Sequence, residues 1–403
     1  MYDAIVVGAR CAGSPTAMLL ARKGCRVLLV DKASFPSDTI STHIIWPHGA
    51  ELLERWGLLE RVAETGCTPI ALDMTFDVGP VVLRGGVKVT NQGRGGFCPR
   101  RTVLDKLLVD AAVESGAELR ENFTVEELTW DGDRVAGIKG HGRDGNTVEE
   151  RARIVIGADG VHSFVAKAVK APEHTTKPPL NTLFYSYFSG VPDANDVEQY
   201  VRPFEGAAYF PTNDGLTLIG AVWPADRFQE IRSDPEEHVV GVHRRAGQGD
   251  RLDSATREDK WYGTAGVPNF FRKPYGPGWA LVGDAGYERD YITAQGISDG
   301  FIDAQNLTDA IEAGFTGRQA FNEALAGYEK ARDERVTPHY HLTTELATLE
   351  PPPPMMQQLF GAMADNRDAT EQFFAALTGS TPVPEFMNPE NIGGIMAAAG
   401  ARA

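Results

Sequence analysis

The chain has 403 residues, 42% of them hydrophobic and 23% charged, with a formal net charge of -16. These are ordinary globular values, and the length predicts about two to three structural units of roughly 150 residues each. The acidic balance excludes a general nucleic-acid surface, which needs a basic stripe to displace counterions from phosphates.

In chain order, residues 2–31 read as a strand-helix-strand unit: the apolar run Ala4 to Val7, a glycine-rich turn, a helical stretch from Pro15 to Lys23, and a second apolar run from Arg26 to Val30. Residues 47–65 carry apolar side chains at three- and four-residue steps, which predicts a helix. Short alternating runs with many glycines follow between Ile70 and Phe97 and predict strands. Residues 101–115 are helical again, and Ile154 to Gly157 is an apolar strand entering a turn at Asp159-Gly160. Aromatics and prolines crowd residues 176–265, with strand-like runs at Leu183 to Phe188 and Leu216 to Val222, which suggests a separate sheet. Trp279 to Val282 returns to a short apolar strand, followed by a turn at Gly283-Asp284 and a helix through Ile311. Pro338 and the run Pro351 to Pro354 punctuate a helical end.

Four cysteines, Cys11, Cys25, Cys67 and Cys98, show neither a C-x-x-C pair nor regular spacing. Free thiols in a reducing compartment are expected, with no disulfide framework and no metal site. His339 and His341 have two-residue spacing but no acid or thiol cluster to complete a metal set. No stretch approaches the about 18 to 20 apolar residues of a membrane span, and no secretory pattern opens the chain, so a soluble cytoplasmic protein is expected.

Three loops carry chemistry. The first, Gly8-Ala9-Arg10-Cys11-Ala12-Gly13, lies between a strand and a helix, and Asp31, followed by Lys32, closes the next strand. A tight turn of this kind aims backbone N–H groups and a helix N-terminus at a pyrophosphate, while the acid accepts ribose hydroxyls. Arg10 stands where a glycine normally lets the backbone approach the pyrophosphate, so its side chain must either turn away or bind it. The second loop, Gly157 to Ser163, contains Asp159-Gly160. The third, Gly283-Asp284-Ala285-Gly286, is followed by Gln295-Gly296 at a helix start, where an aspartate can take a ribityl hydroxyl and the helix can offer its positive end.

In this order and spacing the three loops resemble the flavoprotein monooxygenases of the para-hydroxybenzoate hydroxylase type, whose superfamily also holds flavin-dependent halogenases and geranylgeranyl reductases. The resemblance covers about residues 1–330. It implies an α/β fold: a Rossmann-like FAD-binding domain in three parts (1–75, 99–175 and 266–330), an inserted antiparallel β-sheet substrate domain (76–98 and 176–265), and a helical C-terminal region (331–403).

It also implies roles. Gly8, Arg10, Cys11, Ala12, Gly13, Asp31 and Lys32 would surround the adenine dinucleotide half of FAD. Arg101, with Arg100 as rival, matches an arginine near the FAD, Asp159 and Gly160 match a pair associated with FAD and reduced nicotinamide, and Gly283, Asp284, Gln295 and Gly296 match the flavin end. Thr42 and His43 lie where relatives approach the ring, Thr42 as a hydrogen-bond donor and His43 as a candidate catalytic group. Tyr185, Tyr187, Tyr209 and Trp223 are candidate substrate contacts, about half of which must face away if they alternate along strands.

The chain departs from the pattern at Tyr291, where proline is common, at Ala294, where glycine is common, and at Ala166-Lys167, where an arginine is usual. Only one dinucleotide loop exists, so NAD(P)H is expected as a transient co-substrate. The implied reaction is hydroxylation of an aromatic or polycyclic small molecule through a flavin C4a-hydroperoxide, with ene-reduction as the alternative. Halogenation is less favoured, because the W-x-W-x-I-P string of tryptophan halogenases is absent, and a non-catalytic flavin-binding module is the reading of a different class.

Overall fold

A computed structural model describes residues 1–87 and 94–401. Residues 88–93, part of the segment 76–98 expected to supply strands, lie outside the described residues.

The central sheet is built on strands too apolar to leave either face in water. Strand Tyr2–Val7 pairs in parallel with Thr147–Gly157 on one side (Ala4 opposite Ile154) and with Val27–Val30 on the other (Ala4 opposite Val27), and Glu118–Arg120 and Trp279–Leu281 extend the sheet outward. Side chains alternate across it. Ala4, Val6, Leu29, Ile154 and Ile156 face helices Gly13–Arg22, Arg101–Glu114 and Gly296–Phe315, which contribute Met18, Leu104, Phe301 and Leu307. Ile5, Val7, Leu28, Val30 and Val155 face Leu128, Ile138 and Val165 on the opposite side. Strands buried on both faces read as continuous apolar runs, which is why these were recognisable.

The second sheet runs Thr256–Arg257, Asn181–Ser189, Thr217–Pro224, Glu205–Pro211, Glu198–Arg202, Met74–Asp77, Val82–Gly85, antiparallel except where Glu198–Arg202 meets Met74–Asp77. Its outer face, with Phe184, Tyr209, Ile219 and Trp223, is covered by helices Phe228–Ser233, Pro235–Arg245 and Gly249–Asp253. Its inner face, with Leu183, Tyr185, Tyr187, Phe210 and Leu218, looks toward the C-terminal helices Pro354–Met363 and Arg367–Leu377.

Some elements differ from expectation. The hairpin Thr124–Asp131 and Arg134–His141 and the three helices within 228–253 were not foreseen, since their faces are mostly charged and their apolar periodicity is short. The helix expected over 47–65 is two, Pro47–Arg55 and Leu59–Ala63, broken at Gly57, whose φ is 75°. Pro338 does not punctuate: it lies inside the continuous helix Phe321–Leu346. An internal proline costs a helix about 3 kcal/mol. Here the buried side chains of Arg332, Val336, His339 and Tyr340 anchor the helix on both sides of it. No described helix is long and apolar enough to cross a membrane.

Candidate functional site

One wall of the large cavity is made by a turn that only glycine fits. Gly8 has φ 104°, and a Cβ there would lie 2.3 Å from the Ala158 carbonyl oxygen; a Cβ on Gly13 would lie 1.8 Å from that of Gly8. The helix that follows, Gly13–Arg22, has no acidic residue in its first turn and no side-chain cap, so its positive end is unneutralised. The Asp31 carboxylate accepts the Ala9 N–H at 2.7 Å and the Ala33 N–H at 2.8 Å, which fixes it beside the loop.

Arg10 turns aside. Its Nη1 donates to Asp105 Oδ2 at 2.5 Å and its Nη2 to Ser37 Oγ at 3.0 Å, while the guanidinium lies over the Phe35 ring at 5.4 Å. Asp105 is fully buried and also accepts Arg101 Nε at 3.0 Å and the Cys11 thiol at 3.3 Å. Burial pushes the Cys11 thiol far up, so it is inert, whereas the carboxylate beside buried Arg101 keeps that guanidinium charged.

Beside this turn lies a cavity of about 690 Å³. Its wall includes Gly8, Arg10, Cys11, Ala12, Asp31, Lys32, Thr42, Arg101, Asp159, Gly160, Gly283, Asp284, Gln295 and Gly296. Gly13 sits behind the loop, outside the wall. Asp284 sits within the cavity's walls, its own surface exposed to the cavity. Loss of solvation pushes it up to about 6, against the pull of Arg101. Ala294, where a glycine was expected, nevertheless holds the left-handed backbone at φ 52°. Tyr291, where a proline was expected, donates its hydroxyl to the Asn181 carbonyl at 3.0 Å.

Asp159 lines the cavity but its carboxylate is committed elsewhere. It accepts the Ser163 hydroxyl at 2.5 Å and the Phe164 and Val165 N–H groups at 2.6 and 3.2 Å, capping the short helix Phe164–Ala168.

A second cavity of about 390 Å³ adjoins the first, sharing Ser41, Thr42, Leu183, Tyr291 and Ala294 as wall. Its lining is mostly apolar: Trp46, Phe76, Tyr185, Phe210 and Leu218 from the body of the protein, and Leu346, Phe360, Phe373, Leu377 and Phe386 from the C-terminal region. Of the four candidate substrate contacts, only Tyr185 reaches this wall. Tyr187 is wholly buried behind it, with Arg100 over its ring at 4.1 Å. Tyr209 and Trp223 are placed elsewhere: both lie on the outer face of the sheet, under helix Pro235–Arg245, with Tyr209 edge-on to His243 at 4.7 Å.

His43 is also behind the wall rather than in it. Its Nε2 meets the Tyr187 hydroxyl at 2.6 Å, its side chain is fully buried, and burial together with Arg101 and Arg100 lowers it to about 3, so the ring is neutral. A neutral, enclosed imidazole fixes Tyr187; it does not touch either cavity.

Sequence reasoning missed a buried ionic network under the flavin-type loop. Arg289 Nη2 donates to Asp299 Oδ2 at 2.6 Å, Arg335 bridges Asp299 and Asp303, and Arg289, Asp299 and Gln295 all reach the first cavity. Burial would raise Asp299, but Arg289 and Arg335 outweigh it and hold the acid at about 2. The available signal was Asp299 and Asp303, two acids at helical i, i+4 spacing in a helix whose apolar periodicity, with Phe301, Ala304 and Leu307, marks it as packed in the core. Among the described residues no group of three His, Cys, Asp or Glu side chains is placed to hold a metal.

A family model described as an FAD binding domain matches residues 1–341. Digeranylgeranylglycerophospholipid reductase 2 of Methanopyrus kandleri is 27% identical over 316 residues, which are 75% of this chain and 74% of the reductase. The solved structure of the flavin-dependent brominase Bmp2 superposes with a TM-score of 0.80 at 17% identity, covering 100% of this chain and 98% of the brominase. PqsL, a probable FAD-dependent monooxygenase from Pseudomonas aeruginosa, superposes with a TM-score of 0.72 at 20% identity, covering 93% of this chain and 99% of PqsL.

Proposed function

The chain belongs to the FAD binding domain family, and on that premise we propose that it is an FAD-dependent oxidoreductase that takes electrons from NAD(P)H and acts on an apolar, aromatic or polycyclic small molecule held in the second cavity. The observation that carries this reading is the meeting of the two cavities at Ser41, Thr42, Leu183, Tyr291 and Ala294. A cleft of dinucleotide size with a mixed lining adjoins there an apolar chamber of ligand size.

The residues present fit FAD. The uncapped helix at Gly13 and the Gly8 turn would take the pyrophosphate, Asp31 a ribose hydroxyl, and Asp284 a ribityl hydroxyl. Gln295 and Gly296, at the uncapped start of the helix Gly296–Phe315, also line the cavity and would lie toward the ring. Lys32 and Gly160 would flank the cofactor, Thr42 would reach the ring, and Arg101 would hold positive charge behind it.

When bound, FAD supplies two-electron transfer, and the protein supplies placement and exclusion of water. Tyr185, Phe76, Phe210 and the C-terminal phenylalanines would position the acceptor and keep the junction dry. Arg10, tied to Asp105, leaves the pyrophosphate path to the backbone.

Hydroxylation stands first, on the likeness of the three loops to the hydroxylases. Reduction of a carbon-carbon double bond is the second reading, favoured by the relationship to the Methanopyrus kandleri reductase and by the apolar lining. The separating experiment is NADPH oxidation by FAD-loaded protein against phenols, polycyclic aromatics and isoprenoid alkenes, with mass analysis. A gain of one oxygen supports hydroxylation, a gain of two hydrogens supports reduction, and no NAD(P)H consumption with any acceptor removes the enzymatic reading.

A further inference from the structure

Among the described residues, every lysine, arginine and histidine that lines either cavity belongs to the first. Three of those cations are already committed, Arg10 and Arg101 to Asp105 and Arg289 to Asp299. The apolar chamber has none, and its only charged side chains are the acids Glu345 and Glu350. They stand at the end of helix Phe321–Leu346 and just beyond it, beside the prolines 351–353 that also line the chamber. Both are exposed, and among the described residues neither has an ion-pair partner. The other polar groups of the lining, its hydroxyls, the Trp46 ring N–H and the Gln199 amide, are neutral.

We infer that the chamber selects its occupant by charge: it takes an uncharged apolar molecule, whose polar groups are hydroxyl or carbonyl, and refuses carboxylates and phosphates, with Glu345 and Glu350 as the repelling groups. The inference rests on the reading above that this chamber holds the substrate. An anion drawn into such a wall would give up water without gaining a cation, and it would meet two like charges at the exposed acids. An uncharged molecule of the same shape incurs neither penalty. The apolar side chains therefore set which shapes are held, while the distribution of charge sets what is rejected.

The test is a fluorescence titration of FAD-loaded protein, at neutral pH and low salt, with two probes of nearly the same shape, anthracene methanol and anthracene carboxylate. The alcohol should bind at least about tenfold more tightly. Glu345→Gln combined with Glu350→Gln should narrow that gap about two- to threefold by strengthening the carboxylate alone, the scale of interactions between exposed charges. Ala208→Phe, in the chamber wall, should weaken the alcohol. Equal or tighter binding of the carboxylate to wild type overturns the inference, and a gap that the double variant leaves unchanged overturns the role of the two acids. Binding of neither probe, or alcohol binding that Ala208→Phe leaves intact, would instead overturn the reading of the chamber as the substrate site.

Discussion

The Arg10 guanidinium lies 2.5 Å from the Asp105 carboxylate, 95 residues along the chain, and that contact turns a misfit in the glycine loop into a brace. Arg101 and the Cys11 thiol share the same buried acid. Arg10 lines the cavity, but its guanidinium is held by Asp105 and Ser37.

Arg10→Ala should consequently leave FAD content within about twofold of wild type while costing about 1 to 2 kcal/mol in urea unfolding, since Asp105 loses one of two cationic partners but keeps Arg101. Loss of flavin with unchanged stability would mean that the side chain serves the pyrophosphate.

His43 and Asp284 should give opposite pH trends. His43 is lowered to about 3, so the unfolded chain binds its proton first and wild-type stability from this group falls as pH drops from 6.5. His43→Gln should therefore gain on wild type as pH falls. Asp284 is raised to about 6 in the FAD-free protein, so it costs stability as pH rises from about 4, and Asp284→Asn should gain on wild type over that rise. Urea midpoints of the FAD-free proteins at pH 5 and 7.5 check both signs.

Ala208 and Tyr209 are neighbours on one strand with opposite destinations. Ala208 lines the apolar chamber, so Ala208→Phe should weaken binding of an apolar fluorescent dye by at least about tenfold without lowering FAD content. Tyr209 faces the covering helix, and its hydroxyl is buried with no partner, so Tyr209→Phe should leave dye binding unchanged and move stability by no more than about 0.5 kcal/mol.

That contrast shows where sequence was informative. Alternation along Leu183 to Phe188 tells that half the aromatics face each way, but which half meets the cavity is decided by the helices of 228–253, which fold back over the outer face. The Gly8 turn was legible because its constraint is local: a Cβ there collides with backbone. Arg10's partner, the Arg335 side of the buried ionic network and the C-terminal wall of the apolar chamber were not, since each joins residues tens to hundreds of positions apart. Asp159 was legible as a turn, and its commitment to capping Phe164–Ala168 emerged only from its three hydrogen bonds.

Whether FAD occupies the larger cavity with Asp284 on its ribityl chain is read most directly as flavin released per chain on denaturing purified Asp284→Ala beside wild type and Tyr209→Phe. Wild type and Tyr209→Phe should carry stoichiometric FAD, and folded Asp284→Ala should lose at least about tenfold in affinity. Wild-type flavin content and affinity in Asp284→Ala would contradict that placement.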